Sequence, residues 1–160
     1  MAVEVDDVDL QLLTALQMEA DRTNVELARL VGLSPAATLH RIRRLKESGA
    51  VRAVTARLDP NLLGLPLQAY ILVTMARHGP RAERAFEEEV RSLPQVISAD
   101  YIAGETDVLV FVVAREVSEL QHVLSRLAVR GGSRLVTLLR LAEIKPPAPL
   151  PLLATTRARR

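Results

Sequence analysis

The order of apolar and polar positions divides the chain into two halves with different periods. In the first sixty residues the apolar positions recur every three or four residues, the spacing of one helix face. Val8, Leu12 and Leu16 predict a helix from about Asp6 to Glu19, with Asp6 as its cap and Asp9 in the first turn, where an acid suits the positive end of the helix dipole. Thr23-Asn24-Val25-Glu26 has the form of a capping box, and Leu27, Leu30 and Val31 supply the apolar face of the helix it starts. Gly32 stops that helix. Ser34 and Pro35 then start a third helix, running to about Ser48 and ended by Gly49. Its inward residues are predicted to be Leu39, Ile42 and Leu45, leaving Ala36, Ala37, His40, Arg41 and Arg44 outward, with Arg43 at the flank. Two helices joined by so tight a turn form a helix-turn-helix. Val51–Leu58 alternates as a strand and reads as the wing that follows such a unit, or as the lead-in to the linker.

The second half changes period. Asp59-Pro60-Asn61 and Gly64-Leu65-Pro66 carry turn chemistry and place a linker over 59–66. Beyond it the pattern predicts a strand Leu67–Ala76, a helix Pro80–Leu93, strands Val96–Ile102 and Asp107–Ala114, a helix Ser118–Ala128 and a last strand Leu135–Ile144. That order, βαββαβ, is ferredoxin-like, with both helices on one face of the sheet. Val108, Val110 and Val112, or their alternates, then face a side that no further element covers, which predicts face-to-face pairing of two copies. The fold class expected is α+β: a winged helix-turn-helix over 1–58, the linker, a ferredoxin-like domain over 67–145, and a Pro-rich basic tail over 146–160, read as a flexible or strapped-down extension.

Composition narrows the chemistry. The 160 residues contain no Cys and no Trp, and only two Tyr and two Phe, so the core must be aliphatic and thiolate chemistry is absent. The acidic N-terminus lacks the form of an export signal, and no apolar run approaches the ~20 residues that span a bilayer, so a cytoplasmic protein with no membrane partner is expected. A net charge of +2 conceals strong local asymmetry. Seven acids and one base occupy residues 1–26, whereas 41–57 hold Arg41, Arg43, Arg44, Lys46, Arg52 and Arg57 against Glu47 alone. A basic patch on a helix-turn-helix is the electrostatic footprint of nucleic acid. Ser34, Ala36, Ala37, His40, Arg41, Arg43, Arg44, Lys46 and Arg52 are therefore the candidate contacts to double-stranded DNA. Arg41, Arg44 and His40 are expected at bases or adjacent phosphates, and Ser34, Arg43, Lys46 and Arg52 at the backbone.

The strings Asp6-Asp7-Val8-Asp9, Thr23–Ala28, Val31-Gly32-Leu33-Ser34-Pro35 and Arg41–Gly49 together resemble the leucine-responsive/asparagine-responsive (Lrp/AsnC, feast/famine) transcriptional regulators, and the likeness extends over about residues 6–145. It implies a C-terminal domain of the RAM type that senses a small effector, an amino acid in the family's usage, and homodimers that assemble to tetramers or octamers. The family's effector turn is similar to Ala103-Gly104-Glu105-Thr106-Asp107, with Thr137, Leu138 and Leu139 matching positions near the same pocket. Val108 stands where the family usually has an aromatic. In this reading Asp107 accepts from the ligand's ammonium group, and a plain β-turn is the alternative.

Other chemistries fit less well. His40, His78 and His122 fall on three separate elements without ligand spacing, so no metal is expected, and no cofactor-binding motif occurs. RNA-recognition sheets stack bases on aromatics, and Asp107–Ala114 offers only Phe111. Decarboxylases of sirohaem-type tetrapyrroles are similar chains, but they need basic and aromatic groups around an anionic macrocycle, and this chain is aromatic-poor and keeps the Arg41–Lys46 set. A non-enzymatic regulator is expected, with a sensing module lacking DNA binding as the third reading.

Overall fold

The structure, a computed structural model, describes residues 4–152. It divides into two compact units, one comprising the chain up to Arg57 together with the residues from Lys145 on, the other running from Leu58 to Ile144. The tail, expected as an extension of its own, is thus grouped with the first unit as far as it is described; residues 153–160 lie outside the described part.

The first unit contains α1 (Asp7–Met18), α2 (Asn24–Val31) and α3 (Pro35–Glu47). Each begins with a side-chain cap. Asp6 with Asp9, and Thr23 with Glu26, form full capping boxes, and Ser34 Oγ accepts from Ala37 N. Gly32 ends α2 at φ 68°, a left-handed conformation that L side chains resist, and the sharp turn into α3 depends on it. Leu12, Ala15, Leu27 and Ile42 form a small core, flanked by Val8, Leu16 and Val31. The face of α3 differs from expectation by about one residue: Thr38, Ile42 and Leu45 are buried, while Leu39 is 39% exposed. Thr38 replaces it because its hydroxyl is satisfied locally, donating to Ser34 O at 3.0 Å, and so enters the core without an unpaired donor. The wing is corrected too. Residues 52–58 are irregular and exposed despite their alternation, since a lone strand has no ladder to join.

The second unit contains β1 (Leu67–Met75), α4 (Pro80–Ser92), β2 (Val96–Tyr101), β3 (Val108–Ala114), α5 (Val117–Val129) and β4 (Gly132–Leu139). The strands pair antiparallel in the order β2-β3-β1-β4. β4 ends five residues before the expected Ile144; Leu139, opposite Ala69, is the last paired residue. Gly132 is required by packing: a Cβ there would come within 3.0 Å of Leu135 Cδ2 and 3.2 Å of the Leu127 carbonyl.

Ala69, Ile71, Val73, Val108, Val110 and Val112 face Phe86 of α4 and Val123 and Leu127 of α5, making one aliphatic core. Of the two registers left open by the sequence, Val108, Val110 and Val112 therefore point toward the helices. Their alternates occupy the other face, where Tyr70 stands opposite Phe111 and Leu138, and Leu72 opposite Leu109 and Val136. That face carries no covering element among the described residues, apart from the Arg140 guanidinium lying 5.7 Å from the Phe111 ring centroid.

Candidate DNA interface and effector region

In the first unit the acids of α1 and the bases of α3 meet. Asp9 is fully buried, and its carboxylate is shared by two arginines one turn apart on α3. Arg41 Nη1 donates to Asp9 Oδ1 at 2.9 Å and to Asp6 Oδ2 at 2.7 Å, and Arg44 Nη2 donates to Asp9 Oδ2. The same carboxylates close the capping box of α1, with Asp9 N donating to Asp6 Oδ1 at 2.8 Å and Asp6 N to Asp9 Oδ2 at 3.2 Å. The N-terminus of α1 is thereby tied to the middle of α3. The Asp9 backbone N–H, and after it Arg41, hold the Asp6 carboxyl below the usual carboxylate range, and the two acids push the Arg41 guanidinium up.

Arg41 and Arg44 thus have partners within the unit that the sequence did not indicate. Arg41 and Arg44 retain side-chain exposures of only 29% and 47%, and their charge is balanced within the unit instead of projecting freely outward. The outward side of α3 is a different stripe: Ala36, Leu39, His40, Arg43 and Lys46, all exposed at helical spacing. Ala37 and Ser34 are exposed beside it, Ser34 with its hydroxyl committed to the cap. Arg43, Lys46 and Arg52 form no ion pair among the described residues and remain the uncompensated cations of this surface. The sequence missed Asp9 as a site residue. Its signal was the acid at the third position of a helix whose partner carries arginines at i and i+3.

In the second unit the turn between β2 and β3 holds Ala103–Asp107. Asp107 fastens this turn to β1: Met75 N donates to its Oδ2 at 2.7 Å, and its own N–H donates to Val73 O at 2.9 Å. One carboxylate oxygen is therefore already engaged by the fold, a role the sequence did not disclose. Ala103, Gly104 and Glu105 are exposed, Thr106 is half-buried, and a Cβ on Gly104 would meet nothing within 4 Å. Thr137, Leu138 and Leu139 lie elsewhere. They pair with Ile71, Tyr70 and Ala69, on the strand two places from β3, roughly 10 Å across the sheet, and Leu138 points to the face opposite Thr137. A single chain does not gather the eight candidate effector residues into one pocket. The sequence also missed a cleft of 430 Å³ between α4 and the edge strand β2, lined by Phe86, Glu87, Val90 and Val96 and ending at Tyr101, immediately before the turn. Burial there, helped by Glu87, raises the Tyr101 hydroxyl above its ordinary pKa. Among the described residues no group of acids and histidines could hold a metal, and no helix is long and apolar enough to cross a membrane.

A capped helix-turn-helix with a basic outer stripe, joined to a ferredoxin-like sheet, defines a one-component DNA-binding regulator with a sensor domain. Residues 5–46 match the AsnC-type helix-turn-helix domain and residues 68–150 the Lrp/AsnC ligand binding domain, and the chain belongs to the Lrp/AsnC family of transcriptional regulators. It is 34% identical to the leucine-responsive regulatory protein of Rhizobium meliloti over 145 residues, covering 89% of this chain and 93% of that one. It is 36% identical to the HTH-type transcriptional regulator AldR of Mycolicibacterium smegmatis over 120 residues, covering 75% and 70%. The crystal structure of a Neisseria meningitidis transcriptional regulator in complex with L-Met superposes with a TM-score of 0.83 at 34% identity, covering 92% of this chain and 97% of that one.

Proposed function

We propose that this regulator reads duplex DNA through the outward stripe of α3, and that Arg41 and Arg44 position the helix instead of reading bases. The observation that carries the reading is the split in charge: two arginines are consumed by Asp9, while Arg43, Lys46 and Arg52 stay uncompensated on the solvent side. Ala36 and Ala37 let the start of α3 approach base edges, His40 and Arg43 reach them or the flanking phosphates, and Ser34, Lys46 and Arg52 hold the backbone. The apolar sheet face of Tyr70, Leu72, Leu109, Phe111, Val136 and Leu138 pairs two copies, giving two reading heads for a pseudo-palindrome with half-sites about 34 Å apart. The protein acts in the cytoplasm, has no catalytic activity of its own, and assembles beyond the dimer.

The effector is an amino acid, as in the L-Met complex of the Neisseria relative. It binds against the Ala103–Asp107 turn where copies meet, because Thr137–Leu139 of the same chain are too far across the sheet to complete the site. Asp107 acts there chiefly by shaping the turn. Binding shifts the assembly only by the difference in affinity between its two forms. A gel shift on the protein's own upstream region, combined with a thermal-shift screen of the twenty amino acids, tests both halves. A shifted band and at least one stabilising amino acid are expected. No band defeats the DNA reading, and no thermal shift defeats the sensor reading.

A further inference from the structure

The cleft between α4 and β2 has no part in the reading above, and its outline follows from the side chains that β2 turns toward the helices. Ala99 and Tyr101 stand opposite Val110 and Val108, on the face that meets α4 and α5, whereas Ser98 and Asp100 stand opposite Phe111 and Leu109 on the other face. Ala99 is the smallest of the helix-facing residues and leaves a gap along an edge strand that α4 does not fill. The space is 430 Å³, within the range of small-molecule sites. Its floor is made by the apolar side chains of Phe86 and Val90 of α4, Val96 of β2 and Val108 of β3. Its rim carries charge of both signs. Glu87 and Arg91, one turn apart on α4, form an ion pair with Arg91 Nη2 3.2 Å from Glu87 Oε2, and the Tyr101 hydroxyl donates to Glu87.

We infer that this cleft is a second amino-acid site, formed within one chain, for amino acids with a large apolar side chain such as leucine, methionine or phenylalanine. It goes beyond the effector reading above, because its lining stops at Tyr101, before the turn begins at Ala103. The side chains of the floor offer no hydrogen-bond partner, so a polar ligand side chain would lose its hydration there without replacement. The paired charges at the rim fit a zwitterion. Its ammonium group takes the place of Arg91 at Glu87, and its carboxylate takes the place of Glu87 at Arg91. A simple amine would leave Arg91 uncompensated, and a simple acid would leave Glu87 so. The existing pair opens easily, because the Arg91 side chain is 77% exposed and a solvated i,i+4 pair contributes little.

Calorimetric titration of the full chain with leucine, methionine and phenylalanine tests this. At least one of the three should bind. Ala99→Leu fills the gap without removing a polar group and should lower the amount of that amino acid bound by one per chain. Its amide, which lacks the carboxylate, and its N-acetyl form, which lacks the ammonium group, should each bind the cleft roughly tenfold or more weakly. Arg91→Gln alters a largely exposed position and so separates binding from folding. It should weaken the amino acid by a similar factor while leaving the amide unchanged, a distinction that a purely structural Arg91 would not make. An Ala99→Leu chain that binds the wild-type amount overturns the inference, as does an Arg91→Gln chain that weakens amino acid and amide alike. So does a wild-type chain that binds none of the three. The turn reading falls separately: it needs only some amino acid to bind, and it survives when the bound amino acid ignores both variants.

Discussion

Each of the two units holds a buried carboxylate closed by two arginines of a neighbouring helix, and the surroundings differ. In the first unit Asp9 takes Arg41 and Arg44 of α3. In the second, Glu89 of α4 takes Arg126 of α5 and Arg130 at its C-terminal cap, with Arg130 Nε 3.0 Å from Glu89 Oε2, and Arg126 holds the Glu89 carboxyl below its usual range. The sheet unit has a continuous aliphatic core from Ala69 to Leu127, so its ion cluster fixes how two helices lie on a core that is already sufficient. The helical unit has a smaller core, Leu12, Ala15, Leu27 and Ile42 with Ala28 and Leu45 also buried, so losing its ion cluster is expected to weigh more. It also holds α3, the helix we propose reads DNA. A buried ion pair contributes modestly while intact, but losing one partner leaves uncompensated charge. The same motif thus joins two helices over a large core in one unit and, in the other, ties α1 to the helix proposed to read DNA.

The largest effect that would break this comparison is expected from Asp9→Asn. It leaves Arg44 without its carboxylate and Arg41 with Asp6 alone, costing roughly 2–4 kcal/mol after allowance for the partial solvation of both arginines. A denaturant melt should show the loss, and DNA affinity should fall with it. Glu89→Gln should cost less, about 1–2 kcal/mol, because the larger core persists and both its arginines are partly solvated. DNA affinity measured below the melt should stay at the wild-type level; if it falls as it does for Asp9→Asn, the contrast between the clusters is lost. Arg44→Ala should lower the melt by about 1 kcal/mol while leaving the salt dependence of DNA binding nearly intact.

Acid sharpens the comparison more gently. Asp6, Glu89 and Glu119 all have folded pKa values below their ordinary ones; Glu119 is lowered to about 2, chiefly by the Arg115 backbone N–H. Groups depressed on folding stabilise above the unfolded pKa and lose that contribution as pH falls through the folded value. Stability should therefore be level at neutral pH and decline progressively from about 4.5 toward about 2, the ordinary value and the folded value of Glu119. A melt series across that window should show the decline; a flat series there, or one falling toward neutral pH, would contradict the pairing.

Element order was legible because local chemistry marks it: Asp6, Thr23 and Ser34 cap, Gly32 stops, and the period changes after Pro66. Features that depend on partners remote in sequence were not. Arg41 and Asp9 are 32 residues apart, and on a helical wheel a paired arginine cannot be told from a free one. Thr38 displaced Leu39 from the core through a bond to Ser34 that hydrophobicity alone does not weigh. Residues 52–58 have a strand's alternation but no ladder partner, and Asp107 is committed to Met75 through a contact that only the sheet creates. The Pro-rich tail looked separate because the groove that receives Leu152 is built by α1 and α2, far away in the chain.

The division of labour on α3 is tested most directly by the salt dependence of Arg43→Ala binding to the protein's own upstream DNA. A slope of log Kobs against log salt shallower than wild type by about 0.9, with an unchanged melt, is the expected result. A wild-type slope for Arg43→Ala, with the loss appearing in Arg44→Ala instead, would contradict the account.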